Sequence, residues 1–382
     1  MEVDKNSSNL NEQQIKAVNC SLGNKLILAG AGSGKTRVLI HRVERLILDF
    51  KIQPGNILAL TFTNKASNEM KQRLEKVLRM SSQGLWFGTF HGICRRILKI
   101  HWKEAGIKDF FSILDSQDQL RIIKRIIKQK NLDQNLYEPK HLQSFINTQK
   151  DKGLRYDKCD YDDNIYIEIF KDYDLACRQT NSVDFADLIL LTYEMLLKNK
   201  KILHYYSSRF KNIMVDEFQD TNALQFELLK LLNGKDGSLY AVGDDDQAIY
   251  GWRGARSKNI KYFTDEFSNV EVFKLEQNYR STNSILSVAN ELISNKSNYR
   301  TILLDIWGSM PTSKILQNTT MNIKLGNHNT KGYKYDDDLK FSFQSKDAQG
   351  TFKEICKMVS LCKYTLDIQI ELGNGDDIGY KI

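Results

Sequence analysis

The sequence is poor in the features that mark membrane, secreted and metal-binding proteins. No apolar run approaches the roughly 20 residues that a helix needs to cross a bilayer, and no signal peptide is recognisable. The six cysteines form no CxxC pair and have no metal-ligand spacing. They are interpreted as reduced thiols, so we expect a cytoplasmic protein that does not contact a membrane.

Length and composition favour a folded protein of two or three domains. The chain has 382 residues, of which 41% are hydrophobic, so packed cores are expected rather than disorder. The net charge is +8, and the whole basic excess lies in residues 1–300. A basic body suits a polyanionic partner, although a charge of this size is by itself weak evidence for one.

Residues 26–36 combine an apolar run, a glycine-rich turn and the start of a helical pattern, LILAGAGSGKT. The glycines at 30, 32 and 34 allow backbone angles that a β-carbon forbids. Such a turn directs its N–H groups at phosphate oxygens, while Lys35 reaches the β- and γ-phosphates and Thr36 holds Mg²⁺. A turn without a ligand is the alternative, but the intact GKT argues against it. The pattern predicts a site for ATP and Mg²⁺.

Two adjacent carboxylates follow a second buried run, in NIMVDEFQDT (212–221). Paired carboxylates at a strand end are costly unless a cation is bound nearby. We expect Asp216 to hold Mg²⁺ and Glu217 to orient and deprotonate the attacking water. The alternative, an acidic surface turn, is weakened by the phosphate loop already present.

Polar residues also follow the runs ILALTF (57–62) and GLWFGTFHG (84–92). Phe62 and Asn64 lie at the first strand-to-helix turn and His91 at the second. Ligands bind at the carboxyl edge of parallel sheets. His91 is therefore a candidate for contact with a nucleic-acid backbone or base, with a structural histidine as the alternative.

The stretch SLYAVGDDDQAIYGWRGA (238–255) places a polar and aromatic loop after another strand. Gln247 has the donor and the acceptor needed to sense a γ-phosphate. Tyr250, Trp252 and Arg253 cluster around glycines, where core aromatics are unusual. Aromatic faces stack on bases without reading sequence. This loop is the best local indication of a single-stranded nucleic-acid partner.

Residues 93–205 show helical spacing without a strong strand, which predicts an all-α insertion. The basic stripe RIIKRIIKQK (121–130) is interpreted first as a solvated helix face and second as a contact to a nucleic-acid backbone. Asp184 and Asp187 stand at a cap-like position, and Asn11 is a plausible cap for the helix that contains Gln14.

Taken together, these stretches resemble the UvrD/Rep/PcrA family of superfamily 1 DNA helicases over roughly residues 8–300. LNEQQ is similar to the Q motif, AGAGSGKTR to motif I, LTFTNKA to motif Ia and GTFHG to motif Ib. VDEFQDTN is similar to motif II, VGDDDQAIYGWRGA to motif III and LEQNYRS to motif IV.

The resemblance implies an α/β fold, in which a RecA-like parallel sheet carries the phosphate loop. It implies that Gln14, Arg37 and Tyr279 surround the adenine. The loop residues Ala29, Gly30, Ala31, Gly32, Ser33 and Gly34 cradle the phosphates, and the groups that handle phosphate, Mg²⁺ and water are Lys35, Thr36, Asp216, Glu217, Gln247 and Arg280. The implied single-strand contacts are Phe62, Asn64, His91, Tyr250, Trp252 and Arg253.

The resemblance ends near residue 300. No stretch after it is similar to motifs V and VI, and residues 301–382 are polar and aperiodic, with weak strand fragments. The expected domains are a RecA-like domain in two segments (8–90 and 206–282), a helical insertion (91–205) and an incomplete second RecA-like domain (283–382). A separate polypeptide could supply the missing half, and little unwinding is expected of this chain alone.

The function implied by the resemblance is that of an ATP-dependent 3′–5′ DNA helicase or translocase. A non-enzymatic remnant that binds single-stranded DNA and ATP is the first alternative. An unrelated phosphate-loop enzyme, such as a small-molecule kinase, is the second, but a kinase has no need of the stacking loop at QAIYGWRGA.

Overall fold

The computed structural model describes residues 10–78, 84–159, 161–244, 247, 259–282 and 286, together with the backbone of four strands between 320 and 381. The chain divides into two compact units. The first holds the described residues within 1–29, 34–245 and 250–276, and the second those within 30–33, 246–249 and 277–382.

The first unit is built on a six-stranded parallel sheet. The strands of this unit are β1 (Lys25–Ala29), β2 (Ile57–Thr61), β3 (Trp86–Thr89), β4 (Ser112–Ile113), β5 (Ser182–Val183), β6 (Asn212–Val215), β7 (Ser238–Gly243) and β8 (Glu271–Leu275). The order in the sheet is β3-β2-β6-β7-β1-β8, and every described pairing within it is parallel. The strands predicted from the apolar runs are confirmed, and so is the α/β, RecA-like fold class.

Helices alternate with these strands, as parallel crossovers require. They are α1 (Glu12–Asn19), α2 (Lys35–Leu48), α3 (Asn64–Leu78), α4 (Phe90–Ile100), α5 (Ser116–Gln129), α6 (Pro139–Asp151), α7 (Asn164–Gln179), α8 (Phe185–Lys198), α9 (Lys200–Arg209), α10 (Ala223–Asn233) and α11 (Asn259–Glu266). None of the helices in the described part of the chain is long and apolar enough to cross a bilayer.

The sheet has a hydrophobic core on each face because alternate residues of a strand point to opposite sides. In β2, Leu58 and Leu60 enter a core shared with α4, α8 and α10, whereas Ile57 and Ala59 enter a core shared with α2 and α3. Burial on both faces explains why these strands are continuous apolar runs in the sequence.

The segment between β3 and β6 is helical, as predicted, apart from the two-residue pairing of β4 with β5. Helices α5, α6 and α7 form a third core, centred on residues such as Ile127, Ile146 and Phe170. Helices α4 and α8 contribute instead to the core on the sheet. The basic stripe on α5 buries Ile123 and Ile127, and its exposed residues Arg121, Lys124, Arg125 and Lys128 form the expected solvated face. Lys130, which ends the stripe, is half-buried and pairs with Glu168 and Asp172.

The second unit contains a four-stranded antiparallel sheet. Its strands are β9 (Thr320–Asn329), β10 (Gly332–Ser342), β11 (Tyr364–Glu371) and β12 (Asp377–Lys381), in the order β10-β9-β11-β12. The weak strand fragments expected after residue 300 lie here, in antiparallel order.

Candidate functional site

The phosphate loop connects β1 to α2, and two of its glycines have backbones that other residues rarely adopt. Gly32 has φ +71° and Gly34 has φ +89°. A β-carbon at Gly34 would also lie 2.6 Å from Nε2 of Gln14. Gly34 is the N-cap of α2, and no side chain forms a capping hydrogen bond at this helix start. This arrangement can receive an anion.

Gln14 is fully buried on α1 beside this loop. Asn11 caps α1: its Oδ1 accepts the Gln14 N–H at 2.8 Å, and the Gln14 side-chain oxygen accepts the Asn11 N–H at 3.0 Å. The predicted Asn11 cap is confirmed. The adenine roles of Gln14 and of Arg37, which is exposed on α2, stay predictions.

Lys35, the first residue of α2, pairs with Glu217 at the end of β6. Their Nζ and Oε2 atoms are 2.7 Å apart, and Lys35 is buried. Glu217 has φ +50°, a left-handed conformation that is rare for a residue with a side chain. Such backbone strain often marks a functional site. Lys35 follows β1 through the phosphate loop, and Glu217 follows β6. Their charged groups can meet because the two strands end at the same edge of the sheet.

Asp216 lies at this edge with its carboxyl group buried. Its Oδ1 accepts the Glu217 N–H at 3.1 Å. Burial first, and then the charge of Glu217, raise the pKa of Asp216 to about 7, while Lys35 opposes the shift. A divalent cation would reverse this shift, so the carboxyl group fits a Mg²⁺ ligand. Thr36, in the first turn of α2, is the other predicted ligand.

Residues of the LEQNYRS stretch contact the phosphate loop within the second unit. The Asn278 side chain donates to the Ala31 carbonyl, and the Tyr279 N–H donates to the Gly32 carbonyl at 2.9 Å. A β-carbon at Gly32 would lie 2.5 Å from Cβ of Arg280. Sequence reasoning missed Asn278, although it directly precedes the predicted Tyr-Arg pair. The partly exposed Gln247 also belongs to this unit.

A groove of about 880 Å³ lies between the sheet edge and the helical insertion in the first unit. Phe62 and His91 line it from the sheet side, as two of the predicted single-strand contacts. Asn64 begins α3 with an exposed side chain. Tyr250, Trp252 and Arg253 lie outside the described residues. The insertion contributes further lining residues, among them Gln119, Lys140, Gln143, Asn147, Lys152 and Phe185.

The insertion side of this groove combines an aromatic residue with an amide network. Phe185 is half exposed and meets His91 edge to face, with ring centroids 6.0 Å apart. Gln119 donates to Asn147 at 2.8 Å and accepts from Gln143 at 3.1 Å. These groups were not singled out in the sequence, because helical periodicity does not show which polar residues face a distant sheet edge.

A cluster of buried charge lies within the insertion. Asp184 caps α8 by accepting the Asp187 N–H at 2.7 Å, as predicted. Both carboxylates also bind the fully buried ammonium group of Lys150, at 2.8 and 2.7 Å. Arg155 binds Asp187 at 2.8 Å. The capping role is therefore confirmed for Asp184, which also has a tertiary role. It is wrong for Asp187, whose carboxylate pairs with Lys150 and Arg155 instead.

The chain is similar to one protein family and to individual DNA helicases. The profile of the UvrD/REP helicase N-terminal domain matches residues 10–268. DNA helicase II of Haemophilus influenzae is 47% identical over 78% of this chain, and DNA helicase II of Escherichia coli is 46% identical over 78%. The ATP-dependent DNA helicase PcrA of Bacillus subtilis is 43% identical over 76%.

The match covers 42% of each of the two helicase II proteins and 40% of the PcrA protein, so the chain spans less than half the length of these relatives. Within that span, the profile includes the phosphate loop and the paired carboxylates described above. The chain belongs to the UvrD/REP helicase family.

Proposed function

We propose that the chain binds ATP with Mg²⁺ at the carboxyl edge of its parallel sheet and hydrolyses it to move 3′–5′ on single-stranded DNA. The observation that carries the proposal is the meeting of Lys35 and Glu217 at 2.7 Å. Beside them, the buried carboxyl group of Asp216 suits a cation, and the N-terminus of α2 suits a phosphate.

Each group at this edge has a chemical role in the proposal. Lys35 binds the β- and γ-phosphates, and Asp216 and Thr36 hold Mg²⁺, which neutralises phosphate charge when bound. Glu217 orients and deprotonates the attacking water. Gln247 and Arg280 respond to the γ-phosphate, and Gln14, Arg37 and Tyr279 surround the adenine. Loop residues 29–34 cradle the phosphates.

The groove beside this edge is the proposed path of the single strand. Its lining includes aromatic rings, which can stack on bases, and amide and lysine side chains, which suit the backbone. The carboxyl groups of Asp115, Asp151 and Asp220 also line it, so the phosphates are expected to pass on the side of Lys140 and Lys152. Phe62 and His91 contact the strand there in the proposal. Asn64, Tyr250, Trp252 and Arg253 are the other proposed single-strand contacts. The names of the relatives, DNA helicase II and PcrA, support DNA as the substrate. The division of the chain also stays a proposal. It consists of a RecA-like domain in two segments, a helical insertion, and an incomplete second domain.

The test is ATP hydrolysis by the chain with and without oligo(dT), compared between wild type and Glu217→Gln. We expect DNA to stimulate the wild type, and Glu217→Gln to lower the rate by about 10²–10⁴-fold because it removes a general base. ATP affinity should change only a few-fold, since the amide keeps the shape of the side chain.

The matched control is Glu227→Gln, which removes a carboxylate on α10 and should leave the rate unchanged. Binding of both ligands with no turnover in the wild type would favour the non-enzymatic alternative. Failure to bind ATP and DNA would contradict the proposal altogether.

A further inference from the structure

Arg42 lies in α2 and carries a buried charge whose hydrogen bonds go to backbone carbonyls. Its Nη1 donates to the carbonyls of Val18 and Cys20 at 2.9 and 2.6 Å, and its Nη2 donates to the Ser21 carbonyl at 2.9 Å. Burial lowers the pKa of Arg42, because the charged form loses hydration. The planar guanidinium spans three carbonyls at once, and it therefore fixes residues 18–21 against α2.

Residues 18–21 are the end of α1 and the two residues that follow it. Carbonyl groups at the end of a helix have no partner within the helix, and α1 has 8 residues, too few to be stable alone. From the sheet, the hydroxyl of Tyr240 in β7 donates to the Ala17 carbonyl at 2.9 Å. The Arg42 guanidinium lies 5.5 Å from the centre of the Tyr240 ring. Arg42 and Tyr240 together hold the end of α1 against α2 and the sheet.

The first turn of the same helix carries Gln14, whose side-chain oxygen accepts the Asn11 N–H at 3.0 Å. A β-carbon at Gly34 would lie 2.6 Å from its Nε2, so the amide nitrogen faces the phosphate loop. An amide offers a donor and an acceptor together, and it can pair with N7 and the N6 amino group of adenine. Guanine has an oxygen in place of that amino group, so the same amide orientation does not suit it. The position of α1 thus decides how Gln14 meets a base.

We propose that Arg42 is a positioning residue that, with Tyr240, holds α1 so that the Gln14 amide selects adenine over guanine. The inference rests on the proposed function, because it requires a nucleotide at the phosphate loop. When α1 can shift against α2, the amide leaves the base, whereas Lys35 keeps its place at the phosphates. Loss of the Arg42 contacts therefore changes base selectivity more than it changes affinity for the phosphate part of the nucleotide.

The test measures the dissociation constants of ribose-labelled fluorescent ADP and GDP, each with Mg²⁺. The selectivity ratio is the constant for GDP divided by that for ADP, and in wild type we expect it to be about tenfold or more. Arg42→Lys keeps the charge but has one nitrogen in place of the planar fork. It should bring the ratio below about threefold, while the constant for GDP changes by less than about twofold.

A second variant removes only one of the hydrogen bonds that hold α1. Tyr240→Phe deletes the donor to the Ala17 carbonyl and should lower the ratio by at least about twofold, so it carries the test if Arg42→Lys does not fold.

The matched controls change a buried arginine and a buried tyrosine elsewhere in the first unit. Arg155→Lys alters the charge cluster of the insertion, and Tyr206→Phe removes a hydroxyl on α9. Both should keep the wild-type selectivity ratio, even where they lower stability. A residue that only stabilised the fold would behave like these controls.

A wild-type ratio in both folded Arg42→Lys and Tyr240→Phe would overturn the inference. Equal weakening of ADP and GDP binding in these variants would overturn it too, because that result indicates a general loss of the site. So would a wild-type chain that binds the two nucleotides equally well. If the wild type binds neither nucleotide, the proposed function itself fails, which is a distinguishable result.

Discussion

Two clusters of buried charge in the first unit differ in how their charges are matched. In the insertion, Lys150 lies within 3.2 Å of carboxylates from Asp174, Asp184 and Asp187, and Arg155 binds Glu194 through two nitrogens. At the sheet edge, two neighbouring carboxylates, Asp216 and Glu217, lie beside the single ammonium group of Lys35.

The protonation of each cluster follows from this matching. Burial alone would lower the pKa of Lys150, but the surrounding carboxylates raise it overall. Burial alone would raise the pKa of Asp187, yet Lys150 and Arg155 lower it. For Asp216, burial and Glu217 dominate, and the pKa rises to about 7. Burial also raises the pKa of Asp174, although Lys150 and Arg155 oppose the shift. The insertion thus holds Asp187 ionised with two cations of its own, whereas at the sheet edge the carboxyl group of Asp216 is left suited to an added cation.

The largest loss of stability is expected when Lys150, the central cation of the insertion cluster, is removed. Lys150→Met should destabilise the fold by about 3–5 kcal/mol, because it removes the ammonium group that the buried carboxylates of Asp184 and Asp187 share and leaves only Arg155 beside Asp187. The measurement is the midpoint of urea unfolding. Lys152→Met, an exposed lysine two residues along, should shift it little. An unchanged midpoint in Lys150→Met would show that the cluster does not hold the insertion together.

A smaller loss of stability is expected when Arg155, the second cation of the insertion cluster, is replaced by a lysine, which keeps the charge but changes the geometry. Arg155→Lys removes the two-nitrogen contact to Glu194 and should cost about 1.5–3 kcal/mol, measured by the same unfolding. Arg121→Lys alters an exposed pair with Asp118 on α5 and serves as the control, with at most about 1 kcal/mol expected. Equal losses of stability in Arg155→Lys and Arg121→Lys would contradict the prediction that burial makes the Arg155 contact the stronger of the two.

The smallest expected change is a gain in stability, and it concerns Asp216 at the sheet edge. Because the pKa of Asp216 is raised in the fold, ionising it costs stability as pH rises from about 4 to about 7. Asp216→Asn should therefore stabilise the chain in metal-free buffer at pH 8, by on the order of 1 kcal/mol, and change it little at pH 4. Thermal unfolding at both pH values provides the measurement.

The control for this pH dependence is Asp236→Asn, which neutralises an exposed aspartate in the loop before β7 and should show no such difference. A destabilised Asp216→Asn at pH 8 would mean that the sheet edge is matched internally after all, like the insertion.

Much of the sheet could be predicted because the sequence patterns that indicate its strands and turns are local. A buried parallel strand is a continuous apolar run, and the phosphate loop needs glycine at 32 and 34 for backbone angles that other residues avoid. The caps at Asn11 and Asp184 were predictable for the same reason, since a cap bonds to a backbone group within a few residues.

The contacts between distant residues could not be predicted. Lys150 meets Asp184 and Asp187 across 34 and 37 residues, and helical periodicity alone indicates nothing about that meeting. The same holds for Phe185, which faces His91 only because the insertion folds back onto the sheet.

Local sequence patterns specify the strand, loop and helix that form the phosphate site, and the residue types at the strand ends. Which of those residues meet depends on how the strands pack. Gln219 can bridge Glu217 and Asp244 only because β6 and β7 are neighbours in the sheet, with Val215 beside Ala241. Strand order and register are properties of the whole packed sheet, so no stretch of the chain specifies them alone.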